Sequence, residues 1–128
     1  MTLHVVRLGT RRVPGEGTRI GAVRRPPRGV RKNCYATADW FDVWYPDLSP
    51  SLEVMKQGKA ATTDDEWSIF VRAFRREMNA PTPRRTLDLL AALSKQADFS
   101  IGCYCEHEGR CHRSVLHALL LERGASLG

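Results

Sequence analysis

The chain has 128 residues, 42% hydrophobic and 27% charged, the composition of one globular domain large enough to bury a core without disulfide staples. No apolar run approaches membrane-spanning length and no N-terminal stretch reads as a secretory signal, so a cytoplasmic protein without membrane contact is expected. A net charge of +6 and a pI near 9.5 favour anionic partners, namely phosphate-bearing small molecules, nucleotides or nucleic acid. The plain alternative is a basic surface that serves solubility.

In chain order, Leu3 to Leu8 is a short strand, and the polar, glycine-rich stretch from Gly9 to Gly17 is a loop. Thr18 to Val23 reads as a second strand because its β-branched residues suit a pleated surface. The nine residues between these strands allow a hairpin or a parallel arrangement equally. Arg24 to Lys32 follows, with Pro26 and Pro27 forbidding regular structure and with basic residues that cannot be buried unpaired. This is an exposed loop at the carboxyl end of a strand, either a solvated charge run or a wall facing a ligand.

Trp40 to Tyr45 is aromatic-rich, a short strand or an irregular packed segment ended by Pro46. Ser49-Pro50-Ser51 opens a helix over Leu52–Gln57, with Gly58 as its expected stop. Thr63-Asp64-Asp65-Glu66 is a capping box. Behind it Trp67, Phe70, Val71, Phe74 and Met78 recur at helical spacing and mark a core stripe rather than a binding platform. Thr82 is expected to cap a third helix with Pro83 at its first position. Leu87, Leu90, Ala91 and Leu93 face the core, and Arg84 and Arg85 lie in a first turn where the helix dipole disfavours cations. An anion or plain solvent exposure would account for that pair.

The most informative stretch lies near the C-terminus. The apolar run Phe99-Ser100-Ile101-Gly102 ends in Cys103-Tyr104-Cys105-Glu106, and Cys111-His112-Arg113-Ser114 then leads into a helix that stops at Gly124. Thiols, imidazoles and guanidiniums thus meet at a strand-to-helix turn, the kind of place where open α/β sheets bind ligands. The chain is expected to be a single α/β domain with a three- to four-stranded sheet flanked by helices and the functional turn at the strand carboxyl ends.

Three readings of the turn stand side by side. Cys103, Cys105, His107, Cys111 and His112 offer the donors of a zinc site. Against this, the one-residue Cys103–Cys105 spacing is not the usual two-residue knuckle and Cys34 stands alone. On this reading of the spacing no residue is assigned to a metal and no cofactor is expected. Alternatively, Cys105 or Cys111 is a nucleophile or redox centre, with His112 as general base and Arg24, Arg28 and Arg113 holding an anion. Cys111 in particular has arginines on both sides and a helix beginning beneath it. A phosphatase-type cysteine with an arginine six positions on is not matched. In the third reading the cysteines are small core residues, the better account of Cys103 taken alone. In a reducing compartment all four cysteines, Cys34 included, are expected to be free of disulfides.

Several of these pieces together resemble a known family. They are Arg24 with Pro27-Arg28-Gly29, Asp42-Val43-Trp44 with Leu48-Ser49-Pro50-Ser51, the Trp67/Phe70/Phe74-Arg75/Glu77 helix, and the Cys103-Tyr104-Cys105-Glu106 and Cys111-His112-Arg113-Ser114 pair. The chain resembles domain-of-unknown-function family 488, the YeaO-like proteins, from Leu3 to Ala125. Where such members usually carry Asp and Trp around the arginine-glycine loop, this chain has Val23 and Pro26. The resemblance implies a small cytoplasmic α/β domain and brings no established activity. The leading expectation is an enzyme or sensor for a phosphate-bearing small molecule or nucleotide. The alternatives are a non-catalytic nucleic-acid-binding module and a small zinc-binding protein.

Overall fold

The structure, a computed structural model, describes residues 1–105 and 110–128. Its four strands, β1 (Leu3–Arg7), β2 (Thr18–Gly21), β3 (Val43–Trp44) and β4 (Phe99–Cys103), form one sheet in the order β1-β4-β2-β3. Every pairing is parallel, with Leu3 and Thr18 both opposite Phe99 on the two sides of β4. The hairpin option for the first two strands is thereby excluded, because β4 lies between them. A fully parallel sheet brings all its carboxyl ends to one edge. The loop from Leu8 to Gly17 instead carries the chain back to the opposite edge. At Gly17 a φ of +75° and the closeness of the Asp98 carbonyl, which a Cβ would overlap, leave room only for glycine.

Alternation along the strands divides the two faces. Leu3, Phe99 and Ile101 are buried, with Val5 and Ile20 packed against them, in a core completed by Phe70, Phe74, Met78, Leu87, Leu116 and Leu120 from the helices. The other face is covered by loops. There Arg19 and Glu16, 1% and 3% exposed, form a buried ion pair at 2.6 Å. Ser100 donates to Glu16 at 2.9 Å, and Arg19 Nη1 donates to the carbonyls of Thr10 and Asp39. Every oxygen of that carboxylate is satisfied, as a charge so deeply placed requires.

The helices are α1 (Leu52–Ala60), α2 (Asp64–Met78), α3 (Pro81–Leu93) and α4 (His112–Glu122). The capping box forms as expected, with Thr63 and Glu66 satisfying each other's backbone donors. Several expectations are corrected. Gly58 lies within α1 rather than ending it, because its bare Cα lets Phe70 of α2 approach; a Cβ there would stand 2.8 Å from the ring. The third helix begins at Pro81 with Ala80 as its cap, not at Thr82-Pro83, so Arg84 lies past the first turn and Arg85 beyond it. No bound anion is needed to explain their charges. Leu93, at the end of that helix, is 42% exposed rather than core. In the aromatic segment only Val43 and Trp44 pair as a strand, and β2 stops at Gly21, two residues short of Val23.

Candidate functional site

Cys103 closes β4 and Cys105 follows it, while Cys111 caps the amino end of α4 and His112 is that helix's first residue. Strand alternation sends Cys103 and Cys105 to the same side. The three Sγ atoms and a ring nitrogen of His112 all lie within 4.8 Å of one another. Cys103, Cys111 and His112 are buried and Cys105 is exposed. His112 Nε2 lies 2.7 Å from the Ala22 carbonyl. A carbonyl only accepts, so Nε2 carries the proton and Nδ1 keeps its lone pair. That Nδ1 lies 3.9 Å from Cys111 Sγ. Ala22 directly follows β2, so one contact joins three elements.

Electrostatically the three sulfurs are unequal, and Cys105 is the one driven toward the thiolate. Hydrogen bonds from Cys103 and Cys111, aided by the positive charge of Arg113, overcome burial and pull the Cys105 thiol down to about 2. Cys103 is pushed up to about 11 by its hydrogen bond to Cys105 and by burial. Cys111 moves the same way, through its hydrogen bonds to Cys103 and Cys105. Burial lowers the pKa of His112 and so favours the neutral ring. Arg113 is only 5% exposed, and its Nε and Nη1 find no partner among the described residues. A guanidinium stays charged even when buried, so a positive charge stands beside the thiols.

Three thiolates and one imidazole are a complete tetrahedral zinc set. Bonds of about 2.3 Å to sulfur would draw the sulfurs to roughly 3.8 Å apart, a closure of about 1 Å at most from the present spacing. The histidine is already oriented by a backbone carbonyl through its second nitrogen, the usual support for a metal-ligating imidazole. A zinc ion with three thiolates carries a net negative charge, which the Arg113 guanidinium would offset. The donor set is therefore compatible with metal binding, although its one-residue spacing argued against it. Glu106 and His107, also singled out from the sequence, lie outside the described residues.

The cluster forms part of the wall of a cavity of about 1020 Å³ at the carboxyl edge of the sheet. Arg24 and Arg28 line the same cavity as Cys105, Cys111 and His112, whereas Arg113 is not among its lining residues. Arg24 is also a strap, donating from Nε to the Pro50 carbonyl at 3.1 Å and from Nη2 to that of Ser49 at 2.9 Å. Arg28 is exposed. The Tyr104 hydroxyl donates to the Arg25 carbonyl at 2.9 Å and ties the proline-rich loop to the turn. Sequence reasoning missed the Ala22 carbonyl and the lysines of α1, whereas Cys103 was already among the metal donors it offered. Nothing local marks either of the two that were missed.

A family model described as the active DUF488-N3 subclade matches residues 3–124. The chain belongs to the DUF488 family. No curated protein and no solved structure matches it. Within this DUF488 domain the match spans β1 to the end of α4, so both halves of the thiol cluster and the arginine loop fall inside the family region. None of its described helices is long and apolar enough to cross a membrane.

Proposed function

We propose that this DUF488 protein holds a zinc-class metal ion on Cys103, Cys105, Cys111 and His112 Nδ1, beside a cleft that takes a phosphate-bearing ligand. The observation that carries the reading is the convergence of four soft donor atoms within 4.8 Å, with the histidine already oriented by Ala22. Sulfur-rich tetrahedral sets select zinc over hard cations. Arg24 and Arg28 would bind the anion through charge-assisted hydrogen bonds. Cys105, the one exposed member of the set, is the sulfur that a ligand in the cleft would meet.

Elemental analysis of protein purified without chelator should give about one zinc per chain, the stoichiometry of a single four-ligand site. Cobalt substitution should give the intense visible spectrum of a tetrahedral thiolate site, lost in Cys111→Ser and in His112→Gln. Metal-free protein that takes up neither zinc nor cobalt would refute the reading.

A second reading rests on the exposure and low pKa of Cys105. Here the cluster works without metal as a thiol centre. Cys105 is the nucleophile or redox group, His112 presents the bare Nδ1 of a general base to the cluster, and Arg113 stabilises the thiolate. Cys111, the alternative nucleophile by sequence, is 1% exposed and suits a supporting role. Fast alkylation of Cys105 in protein that binds no metal would favour this second reading.

A further inference from the structure

The cavity beside the cluster is lined by seven lysine and arginine side chains and, among the described residues, by no carboxylate. The whole chain has 20 basic and 14 acidic residues, so a mixed surface has been sorted here to one sign. Arg25, Arg28, Lys56 and Lys59 are exposed and have no carboxylate partner among the described residues. A cluster of like charges on a low-dielectric wall concentrates anions.

The same cavity has two aromatic walls on different elements. Trp40 meets Tyr104 edge-on at 5.7 Å, and Trp67 stacks on Phe70 at 4.6 Å and 27°. All four line the cleft. Trp40 and Trp67 are each only partly buried, so part of each indole remains uncovered. The lysines stand on α1 and the arginines on the proline-rich loop, so charge and rings come from both sides. At about 1020 Å³ the cavity is at the upper limit for a small-ligand pocket and has room for more than one nucleotide.

We infer that the cleft binds a single-stranded nucleic acid, with phosphates on Arg25, Arg28, Lys56 and Lys59 and bases stacked on Trp40 and Trp67. Cations that follow a backbone, together with aromatic faces for the bases, are the general means of holding single strands. A duplex hides its base faces and offers these rings nothing. Free phosphate or a mononucleotide would use the charges and at most one of the two aromatic walls. The inference rests on the anionic-cleft part of the proposed function and is independent of the metal.

The test is a titration of full-length protein, zinc-loaded and zinc-free, with oligo(dT) and oligo(U) of about ten nucleotides, within the usual range of single-strand site sizes. Tryptophan fluorescence and anisotropy give the readout. Binding with fluorescence quenching is expected, weakened about ten-fold or more by Trp67→Ala, as loss of one stacked base implies. Trp44→Phe should bind normally, since Trp44 is not part of the cleft lining. Trp40 packs over Gly9, so Trp40→Ala risks the fold. Arg25→Gln with Arg28→Gln, both at exposed positions, provides the independent variant. Its plot of log affinity against log salt should be shallower by about 0.7 for each phosphate contact removed.

Duplex DNA bound as tightly as single strands would overturn the inference. So would a mononucleotide or pyrophosphate bound as tightly as the oligonucleotide, an outcome that keeps the phosphate-ligand reading. Failure of every anion to bind would sink both.

Discussion

The imidazole of His112 donates from Nε2 to the main-chain carbonyl of Ala22 at 2.7 Å. This joins the first residue of α4 to the residue after β2 and aims Nδ1 at the thiols. The Phe74 ring, edge-on at 5.8 Å, holds the imidazole from the core side. His112→Gln should therefore keep the fold at a cost of about 1–3 kcal/mol from the altered buried hydrogen bond. It should also remove the fourth metal donor. Denaturant melts with and without zinc check both effects, and a variant still stabilised by zinc as strongly as the parent would argue against Nδ1 as a ligand.

Thiol reactivity should be ordered. Cys105 is exposed and carries the low pKa, while Cys103 and Cys111 are 0% and 1% exposed with raised values. Iodoacetamide at neutral pH should label Cys105 first in metal-free protein, and Cys105→Ser should lose the fast phase. Zinc should slow that phase by occupying the sulfur. Peptide mass mapping over time reads the order, and Cys111 labelling ahead of Cys105 would contradict it.

The buried Glu16–Arg19 pair predicts acid sensitivity. Burial by itself would raise the Glu16 pKa. The hydrogen bonds from Arg19, the Val13 backbone and Ser100 outweigh it, and the folded value falls below the ordinary 4.5. A lowered carboxylate contributes stability that is fully present above the unfolded value and is lost as pH falls through the folded one. Unfolding free energy should thus decline as pH drops below about 4.5. Glu16→Gln should flatten that decline. It should also cost about 3–5 kcal/mol at neutral pH by leaving the Arg19 charge uncompensated. Urea melts across this range measure both effects.

Gly58 provides a packing test. Alanine normally stabilises a helix interior by about 1 kcal/mol over glycine. Here its Cβ would stand 2.8 Å from the Phe70 ring, which is itself 3% exposed and cannot swing away. Overpacking of this kind costs about 1–3 kcal/mol, so Gly58→Ala should lower the urea midpoint. A raised midpoint would show that α1 moves away from α2 without penalty.

Local chemistry was legible without a structure wherever it is decided within a few neighbouring residues. The Thr63–Glu66 capping box, the Phe70/Phe74/Met78 stripe, the strand ending at Cys103 and the stop at Gly124 all depend on backbone donors and periodicities that near neighbours settle. The α/β class and the strand-to-helix turn that carries the thiols followed from the same signals. Tertiary structure decided what depends on long-range pairing. Inserting β4 between β1 and β2 aligned the strand ends, and so brought the loop bearing Arg24 and Arg28 to the same cavity as Cys105 and Cys111. The short Cys103–Cys105 spacing suggested no knuckle, since a knuckle is a local motif. Here the remaining donors arrive from the start of α4, and the carbonyl of Ala22, distant in sequence, aims the imidazole. Gly58 reads as a stop until Phe70 is placed against it, because a glycine's role depends on what its missing side chain would meet.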